Sequence, residues 1–366
     1  MPHKVNVGII GTGFVQDTFH MPAYSEIKLA NVVAVAGRGN TAEFAKRWNI
    51  SRVYHGDDAV EKLCRDPDVD VVDIGIPNNL HLQTIITAAE NHKSVICEKP
   101  LARNAIEAKK ALEAVEKYGV LNCYAENQVF IPQVTRAFQI INGGAIGSLT
   151  WIRAREAHSG PHSKWFWDPS LAGGGVLSDM GCHTIEAVRF LFNKKKASDV
   201  AAWTATLVHD IKGEDNSLVL VRFEDGSLGQ CESSWTAKGG VDVRLEVYGS
   251  EGAVFIDVTR ETGIRLFTAA PEGSAGYIVE KADVGRGWMF PTWREYETGG
   301  FTYELQHFLE CIAHDQTPCE TFRDGYIVNC LMGLAYEASQ QKKWITVTDF
   351  GPTHQQEKRA VDNKKI

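Results

Sequence analysis

The chain has 366 residues, of which 44% are hydrophobic and 23% are charged, and its formal net charge is −8. This length favours two domains over one, and the composition is ordinary for a globular protein. The negative charge argues against a general nucleic-acid surface or an anionic-membrane surface, and no apolar run approaches the roughly 20 residues that span a bilayer. We therefore expect neither a nucleic-acid partner nor a membrane partner.

The N-terminal residues and the cysteines indicate the cellular compartment of the protein. Little sequence precedes the apolar run that begins at Val5, which leaves no room for a signal peptide, so we expect a cytoplasmic protein. The eight cysteines lack paired metal-binding spacing and indicate reduced, mostly buried thiols. A zinc site built from His81, Cys97, Cys182 and His183 lacks the usual ligand spacing, so we predict no metal site.

In the first third of the chain, apolar runs alternate with helical patterns. Strands are predicted at residues 5–10, 31–36, 69–76, 94–97 and 120–124, and helices at 41–48, 82–91 and 104–118. Buried strands separated by helices indicate a parallel sheet that is covered on both faces. With right-handed crossovers, this pattern predicts an N-terminal α/β domain of the doubly wound Rossmann type over residues 1–125.

A glycine turn follows the first predicted strand. Gly11 permits a tight bend, and Gly13 allows the backbone to approach a phosphate closely. Gln16 stands at the third position of the pattern, where a glycine or alanine is usual. Because the turn opens a βαβ pattern, we predict that it binds the pyrophosphate of a nicotinamide dinucleotide.

The end of the second predicted strand bears on the choice between NAD and NADP. NAD-binding domains place an acidic residue there to bind the ribose 2′-hydroxyl, whereas this chain has Gly37-Arg38. A guanidinium without a carboxylate suits a 2′-phosphate and favours NADP. An ordinary solvated arginine explains Arg38 equally well, so the predicted cofactor is NAD(P).

Two further loops follow strands of the predicted parallel sheet. Residues 77–81 come directly after the third strand and would lie beside the ribose and the nicotinamide. Glu98-Lys99-Pro100 follows the fourth strand, where the charge of the nicotinamide ring and desolvation would lower the pKa of Lys99 towards a value useful for proton transfer. The predicted cofactor-binding residues are Gly11, Thr12, Gly13, Phe14, Val15, Gly37, Arg38, Pro77, Asn78, Leu80, His81, Glu98 and Lys99.

The pattern changes after residue 125. Strand–turn–strand patterns fill residues 200–267, with an Asp225-Gly226 hairpin turn among them, and helical patterns lie at 132–142, 176–192, 301–312 and 325–341. Residues 126–366 are therefore predicted to form an α+β domain with a mostly antiparallel sheet. The second face of such a sheet needs a cover, which a partner subunit could supply, so we expect a homo-oligomer.

Residues 173–183 combine a glycine triplet with two ionisable groups. Asp179 and His183 are four residues apart, so a helix places them on one face, where the imidazole can act as a general base with the carboxylate as its partner. The triplet at residues 173–175 would let the backbone approach a ligand closely.

Residues 156–167 are rich in aromatic rings and hydrogen-bonding groups, which suit a polyol. The alternative interpretation makes Trp165 and Trp167 part of an interdomain core. The predicted substrate-binding residues are Asn127, His158, His162, Trp165, Trp167, Asp179 and His183.

Together these motifs resemble the Gfo/Idh/MocA family of oxidoreductases. The matching elements are Gly11-Thr12-Gly13, residues 77–81, Glu98-Lys99-Pro100 and residues 173–183, in the family's order and spacing. The resemblance implies a Rossmann domain followed by an α+β domain whose large open sheet commonly builds dimers or tetramers. It also implies that Lys99, Asp179 and His183 are the catalytic residues. Gln16 and Gly37 depart from the family pattern, and Gly37 leaves the choice between NAD and NADP open.

We predict an NAD(P)-dependent dehydrogenase that transfers a hydride between the nicotinamide and a secondary alcohol of a sugar, polyol or glycoside, with glycosyl C3 as one candidate position. His183 would take the hydroxyl proton, Asp179 would hold the hydroxyl and orient the imidazole, and Lys99 would stabilise the developing alkoxide. Two alternatives stay open at this point. One is a hydrolase of the same fold that cleaves glycosides through transient oxidation, and the other is a non-catalytic NAD(P)-binding sensor.

Overall fold

The computed structural model describes residues 4–271, 274–282, 286–348 and 350. Two large sheets organise these residues, one in each predicted domain. Within the described ranges, every helix is too short or too polar to cross a bilayer.

The first sheet has six parallel strands in the order β3-β2-β1-β4-β5-β6. They are β1 (Val5–Ile10), β2 (Ala30–Gly37), β3 (Arg52–His55), β4 (Val71–Ile74), β5 (Ser94–Glu98) and β6 (Asn122–Ala125). The helices between them are α1 (Met21–Glu26), α2 (Thr41–Trp48), α3 (Ala59–Cys64), α4 (His81–Glu90) and α5 (Ala105–Tyr118). Because the strand order reverses between β1 and β4, the loops after these strands diverge and leave a crevice at the carboxyl edge of the sheet.

Local sequence signals account for these elements. The four residues of β4 are all buried, as expected of a central parallel strand. Helix α5 begins after Asn104, whose side chain accepts a hydrogen bond from the Glu107 N–H, and ends at Gly119, whose φ of +63° favours glycine. The predicted Rossmann architecture is confirmed. The sequence patterns missed β3 and α3, since β3 is an edge strand that alternates half-buried and exposed residues.

The second sheet has seven strands in the order β12-β11-β7-β10-β9-β8-β15. They are β7 (Leu149–Ala157), β8 (Ala197–Ala205), β9 (Asn216–Phe223), β10 (Leu228–Ser234), β11 (Asp242–Gly249), β12 (Ala253–Asp257) and β15 (Ile345–Thr346). Only the β7–β10 pair of this sheet is parallel. The predicted α+β domain with a mostly antiparallel sheet is therefore confirmed. Strands β13 (Leu266–Thr268) and β14 (Gly287–Met289) form a separate antiparallel pair.

The second sheet buries one face against helices of this chain and, within the described residues, leaves the other face open. Helix α8 (Cys182–Leu191) packs against β7 and β10 on the buried face. On the open face, Arg153 pairs with Glu246 and Arg155 pairs with Asp242, each at 3.0 Å, and strand β8 carries the half-exposed Trp203. The remaining helices of this part are α6 (Pro132–Asn142), α7 (Pro169–Ala172), α9 (Glu295–Thr298), α10 (Phe301–Ala313) and α11 (Phe322–Gln341).

Helix α11 returns to the first domain and fixes the relation between the two sheets. Its start is a capping box formed by Thr321 and Asp324. The Phe322 N–H donates to Asn122 Oδ1 (2.8 Å) at the edge of β6. A side chain at Gly325 would meet Leu101 and Tyr124 at 2.9 Å, so the helix lies directly on the Rossmann domain.

Candidate active site

Two adjoining cavities lie over the carboxyl edge of the parallel sheet. The main cavity, of about 450 Å³, is lined by the glycine turn, the ends of β4, β5 and β6, and loops of the second domain. The side cavity, of about 650 Å³, lies over the ends of β2 and β3. Both cavities share Gly11, Thr12 and Pro77, so one extended ligand can occupy the two.

The glycine turn between the cavities is shaped for an anion. Gly11 has φ +105°, and a Cβ atom there would lie 2.3 Å from the Gly75 carbonyl oxygen, which only glycine avoids. A Cβ atom at Gly13 would meet nothing within 4 Å. Among the described residues, the N–H groups of Thr12 and Gly13 have no hydrogen-bond partner. These open backbone donors fit the pyrophosphate of a dinucleotide.

Gln16 stands at the third position of the glycine pattern, where glycine or alanine is usual. Its contacts explain how a large residue fits there. Its side chain amide donates to Asp73 Oδ1 (2.9 Å). It also occupies the space above Gly75, where an added Cβ atom would lie 2.7 Å from Gln16 Nε2. The lack of a side chain at Gly75 therefore makes room for Gln16, and the turn and the strand pack closely.

At the end of β5, Lys99 pairs with Asp179. Its Nζ donates to the Asp179 backbone oxygen (2.9 Å) and to Oδ1 (3.1 Å), and Trp235 Nε1 donates to Oδ2 (3.1 Å). Burial alone would raise the pKa of Asp179, but the Lys99 ammonium outweighs burial and lowers that pKa to about 2. Burial alone would lower the pKa of Lys99, but the Asp179 carboxylate outweighs it and raises that pKa. The lowered pKa expected for Lys99 is therefore wrong for the protein alone, because the expectation left out this ion pair.

His183 pairs with Glu126 rather than with Asp179. Its Nδ1 lies 2.5 Å from Glu126 Oε1, and both side chains are buried. Burial alone would lower the pKa of His183, but the charge of Glu126 outweighs it and the pKa is raised. Among the described residues, Nε2 of His183 has no hydrogen-bond partner, and His183 lines the main cavity. The expected role of Asp179 in orienting the imidazole is thus corrected, since Glu126 performs it.

Further polar groups surround these two pairs. Glu156 is buried, burial raises its pKa, and its Oε2 has no hydrogen-bond partner among the described residues. Burial, with a contribution from the neighbouring His162, lowers the pKa of His158 to about 3. His162 Nδ1 lies 2.8 Å from Glu280 Oε1. The main cavity therefore offers both donors and acceptors to a polyhydroxylated ligand.

A buried charge network lies beneath the main cavity. His20 Nδ1 lies 2.8 Å from Asp73 Oδ2, and His20 Nε2 lies 3.0 Å from Glu98 Oε1. The other Glu98 oxygen accepts from the Lys99 N–H (3.1 Å). Burial alone would lower the pKa of His20, but the nearby Asp73 outweighs it and the pKa is raised well above its usual value. His20 thus joins the ends of β4 and β5, and Glu98 holds the backbone N–H of Lys99.

The structure distributes the predicted site residues over the two cavities and their walls. The residues that line the main cavity are Gly11, Thr12, Gly13, Phe14, Val15, Pro77, Asn78, Glu98, Lys99, Asn127, His158, His162, Trp165, Asp179 and His183. Gly37, Arg38 and Leu80 line the side cavity. His81 and Trp167 line neither cavity.

His81 and Trp167 have supporting contacts within the protein, and their predicted contact with ligands stays a prediction. His81 is fully buried, with Nδ1 3.1 Å from the Pro100 oxygen and Nε2 2.9 Å from the Ile76 oxygen, so it ties together the loops after β4 and β5. The ring of Trp167 packs 5.3 Å from that of Trp235, the residue that holds Asp179. Trp165 lies in the cavity wall, stacked on Phe166 at 3.7 Å.

The glycine triplet also serves the protein rather than a ligand. A Cβ atom at Gly173 would lie 2.4 Å from the Arg103 oxygen, and one at Gly175 would lie 2.1 Å from the Glu214 oxygen. Glu214 Oε1 accepts from the N–H groups of Gly175 (3.0 Å) and Leu177 (2.9 Å). The triplet therefore packs tightly on neighbouring backbone and sets the wide helical turn at Leu177–Gly181 that presents Asp179.

Family models match both halves of the chain. Residues 5–126 match the oxidoreductase family with the NAD-binding Rossmann fold, and residues 134–255 match the Gfo/Idh/MocA C-terminal domain. The chain belongs to the Gfo/Idh/MocA oxidoreductase family. The predicted family, the oxidoreductase activity and the NAD(P) cofactor are therefore confirmed, with the choice between NAD and NADP open.

Individual relatives of this Gfo/Idh/MocA protein are similar over nearly its whole length. Levoglucosan dehydrogenase of Pseudarthrobacter phenanthrenivorans is 27% identical, over 94% of this chain and 98% of its own. scyllo-Inositol 2-dehydrogenase (NAD⁺) of Bacillus subtilis is 28% identical, over 92% of this chain and 94% of its own. A solved structure of levoglucosan dehydrogenase in complex with NADH and levoglucosan is 26% identical, with a TM-score of 0.80 over 95% of this chain and all of its own.

Proposed function

We propose that this protein oxidises a secondary alcohol of a sugar, polyol or glycoside, with a nicotinamide dinucleotide as the hydride acceptor. The observation that carries the proposal is the pair of buried charge pairs, Lys99 with Asp179 and His183 with Glu126, in one cavity next to the glycine turn. The relatives named for levoglucosan and scyllo-inositol support the substrate class. They do not favour the glycoside-cleaving hydrolase or the non-catalytic sensor.

We assign the proton transfer to His183. With Nδ1 held by Glu126, the imidazole presents Nε2 as the acceptor of the hydroxyl proton. His183 must be neutral for this step, and its raised pKa means that alcohol oxidation is favoured as the pH rises through that pKa. The bound nicotinamide supplies the hydride acceptor. The resulting imidazolium is stabilised by the carboxylate of Glu126.

We assign Lys99 to the substrate oxygen. An ammonium group has three N–H donors, and Asp179 takes two of them. The third donor is available to a hydroxyl that becomes alkoxide-like while the hydride leaves its carbon. The ion pair with Asp179 holds the ammonium beside this oxygen, so we assign its contribution to electrostatic stabilisation.

The surrounding groups support a polyhydroxylated substrate. Glu156 and His158 each keep a buried polar atom without a hydrogen-bond partner among the described residues. Such atoms are costly to leave unpaired, and substrate hydroxyl groups can satisfy both. Trp165 and Phe166 add flat apolar surface in the cavity wall on which a sugar face can pack.

An absorbance assay tests the proposal. The protein is mixed with NAD or NADP and with levoglucosan, scyllo-inositol, free monosaccharides and aryl glycosides, and reduced nicotinamide is followed. We expect reduction with at least one polyol, loss of activity in His183→Asn, and unchanged activity in Lys109→Met, which alters an exposed lysine of α5. Dinucleotide binding without oxidation of any alcohol would overturn the proposal, and aglycone release without net reduction would indicate the hydrolase.

We also propose the division at residues 125 and 126, a cytoplasmic location and a homo-oligomer built on the open sheet face. The two matched ranges, 5–126 and 134–255, support the division. The eight cysteines are free thiols, which suits a reducing compartment. The open face carries ion pairs and the exposed Trp203, so we expect Trp203→Arg to reduce the oligomer mass measured by light scattering.

A further inference from the structure

We infer that the side cavity selects a 2′-phosphorylated dinucleotide, and that Arg38 is the residue that distinguishes NADP from NAD. The inference rests on the proposed function, because it assigns the other half of the same cofactor cleft. It is not transferred from the relatives, since those compared above carry NAD⁺ or NADH in their names.

The end of β2 lacks the group that an NAD-selective site needs. In Rossmann domains a carboxylate at this position accepts a hydrogen bond from the ribose 2′-hydroxyl and repels a 2′-phosphate. Here β2 ends in Gly37, which lines the side cavity and contributes no carboxylate. Without this carboxylate, the site has no acceptor here for the ribose 2′-hydroxyl of NAD. It also has no negative charge at this position to repel the 2′-phosphate of NADP.

Arg38 supplies a cation at the same place. Its guanidinium lines the side cavity, and 70% of its side chain is exposed. Among the described residues, its one ion-pair partner is Asp57, with Nε 3.2 Å from Oδ1 and 94% of the Asp57 side chain exposed. Exposed pairs of this kind are weak, so the guanidinium can exchange Asp57 for a phosphate, which it binds through two parallel hydrogen bonds.

Three other acids line the side cavity, Asp58, Glu61 and Glu90, and two of them have basic partners. Asp58 pairs with Lys62 at 2.8 Å, and Glu61 pairs with Arg65 at 2.6 Å. These two ion pairs weaken the repulsion between the carboxylates of Asp58 and Glu61 and a bound 2′-phosphate. A hydrogen bond from Thr12 Oγ1 to Asn40 Oδ1 (2.9 Å) ties the loop that carries Arg38 to the glycine turn, which keeps the backbone at Arg38 close to the pyrophosphate cradle.

Binding measurements test the inference without any sugar substrate. The dissociation constants of NADPH and NADH are measured by titration calorimetry for the wild type, Arg38→Ala, Gly37→Asp and Arg65→Ala. We expect the wild type to bind NADPH about tenfold tighter than NADH, and Arg38→Ala to lose about tenfold for NADPH with little change for NADH. Arg65→Ala is the matched control, because Arg65 lines the same cavity but follows α3 and not β2.

Gly37→Asp should reverse the preference. Its new Cβ atom would lie 3.0 Å from Thr41 Oγ1, so the hydroxyl must move by a few tenths of an ångström. Retained NADH binding shows that the variant is folded. Equal or tighter binding of NADH by the wild type, or an unchanged ratio in Arg38→Ala, would overturn the inference while leaving the proposed function intact. If neither dinucleotide bound, the proposed function itself would fail.

Discussion

At the main cavity, Asp179, Glu126 and His183 are buried, Lys99 is 17% exposed, and all four are paired. At the side cavity, Arg38 and Asp57 are exposed and joined by one weak contact. Burial makes each charge of the first set dependent on its partner, since an unpaired buried charge is expensive. Solvent screening leaves the second set nearly independent. Changes at the main cavity should therefore alter chemistry and stability together, while changes at the side cavity should alter only dinucleotide affinity.

Lys99→Met should have the largest effect. Without its ammonium donor, we expect kcat to fall by about 10²- to 10³-fold, and the buried Asp179 carboxylate left behind should destabilise the fold by about 3–5 kcal/mol. Steady-state kinetics and thermal unfolding measure the two effects. Lys99→Met/Asp179→Asn should recover much of the stability and none of the activity. If Lys99→Met kept the wild-type melting temperature, the stability of the fold would not depend on the pairing of the Asp179 charge.

Glu126→Gln should shift the pH dependence of alcohol oxidation. Glu126 raises the pKa of His183, and only neutral His183 accepts the hydroxyl proton. Removing the charge lowers that pKa, so the limb on which kcat/KM rises with pH moves to lower pH. The pH profile of kcat/KM checks this, with Glu251→Gln, on the surface, as the control. An unmoved limb would show that His183 is not the group that titrates.

Trp235→Phe should have a smaller effect at the same cavity. The variant keeps an aromatic ring beside Trp167 but removes the donor to Asp179 Oδ2. Loss of one such hydrogen bond, about 1 kcal/mol, corresponds to a kcat about fivefold lower. Kinetics at saturating substrate measure the change. An unchanged kcat would mean that Lys99 alone holds Asp179 in place.

Asp57→Asn should have the smallest effect and the opposite sign. It frees Arg38 from its exposed partner, so NADPH should bind about two- to threefold tighter, while NADH is unaffected. Fluorescence titration of NADPH measures the change, and thermal unfolding should stay within about 0.5 kcal/mol of the wild type. A loss of stability comparable to that of Lys99→Met would remove the contrast between the cavities.

The sequence predicted those parts of the molecule that depend on local pattern. A pattern of a few neighbouring residues is enough to predict the glycine turn, the apolar strands and the Asp225-Gly226 hairpin. Glu126 was missed because its partner His183 lies 57 residues away in the chain and meets it only in the folded protein. The signal for Glu126 was its place directly after β6, beside the predicted Asn127.

His20 and the glycine triplet show two further limits. His20 lies between Asp73 and Glu98, which come from different strands, so neither periodicity nor spacing relates the three. The glycine triplet at residues 173–175 predicted that another group approaches its backbone closely. The sequence did not show that the approaching groups are the backbones of Arg103 and Glu214. Which contacts a residue makes, and hence its charge state, depends on long-range packing that a single sequence does not display.

The contact between Gln16 and Gly75 makes the residue tolerated at each position dependent on the other. A glycine at position 16 with Gly75 retained would leave a void and an Asp73 oxygen without its donor, while an alanine at position 75 with Gln16 retained would place a Cβ atom 2.7 Å from the amide. We therefore expect each single substitution to destabilise the turn more than a substitution of both residues together. Exchange of this turn between relatives should succeed only when both residues are transplanted in one step.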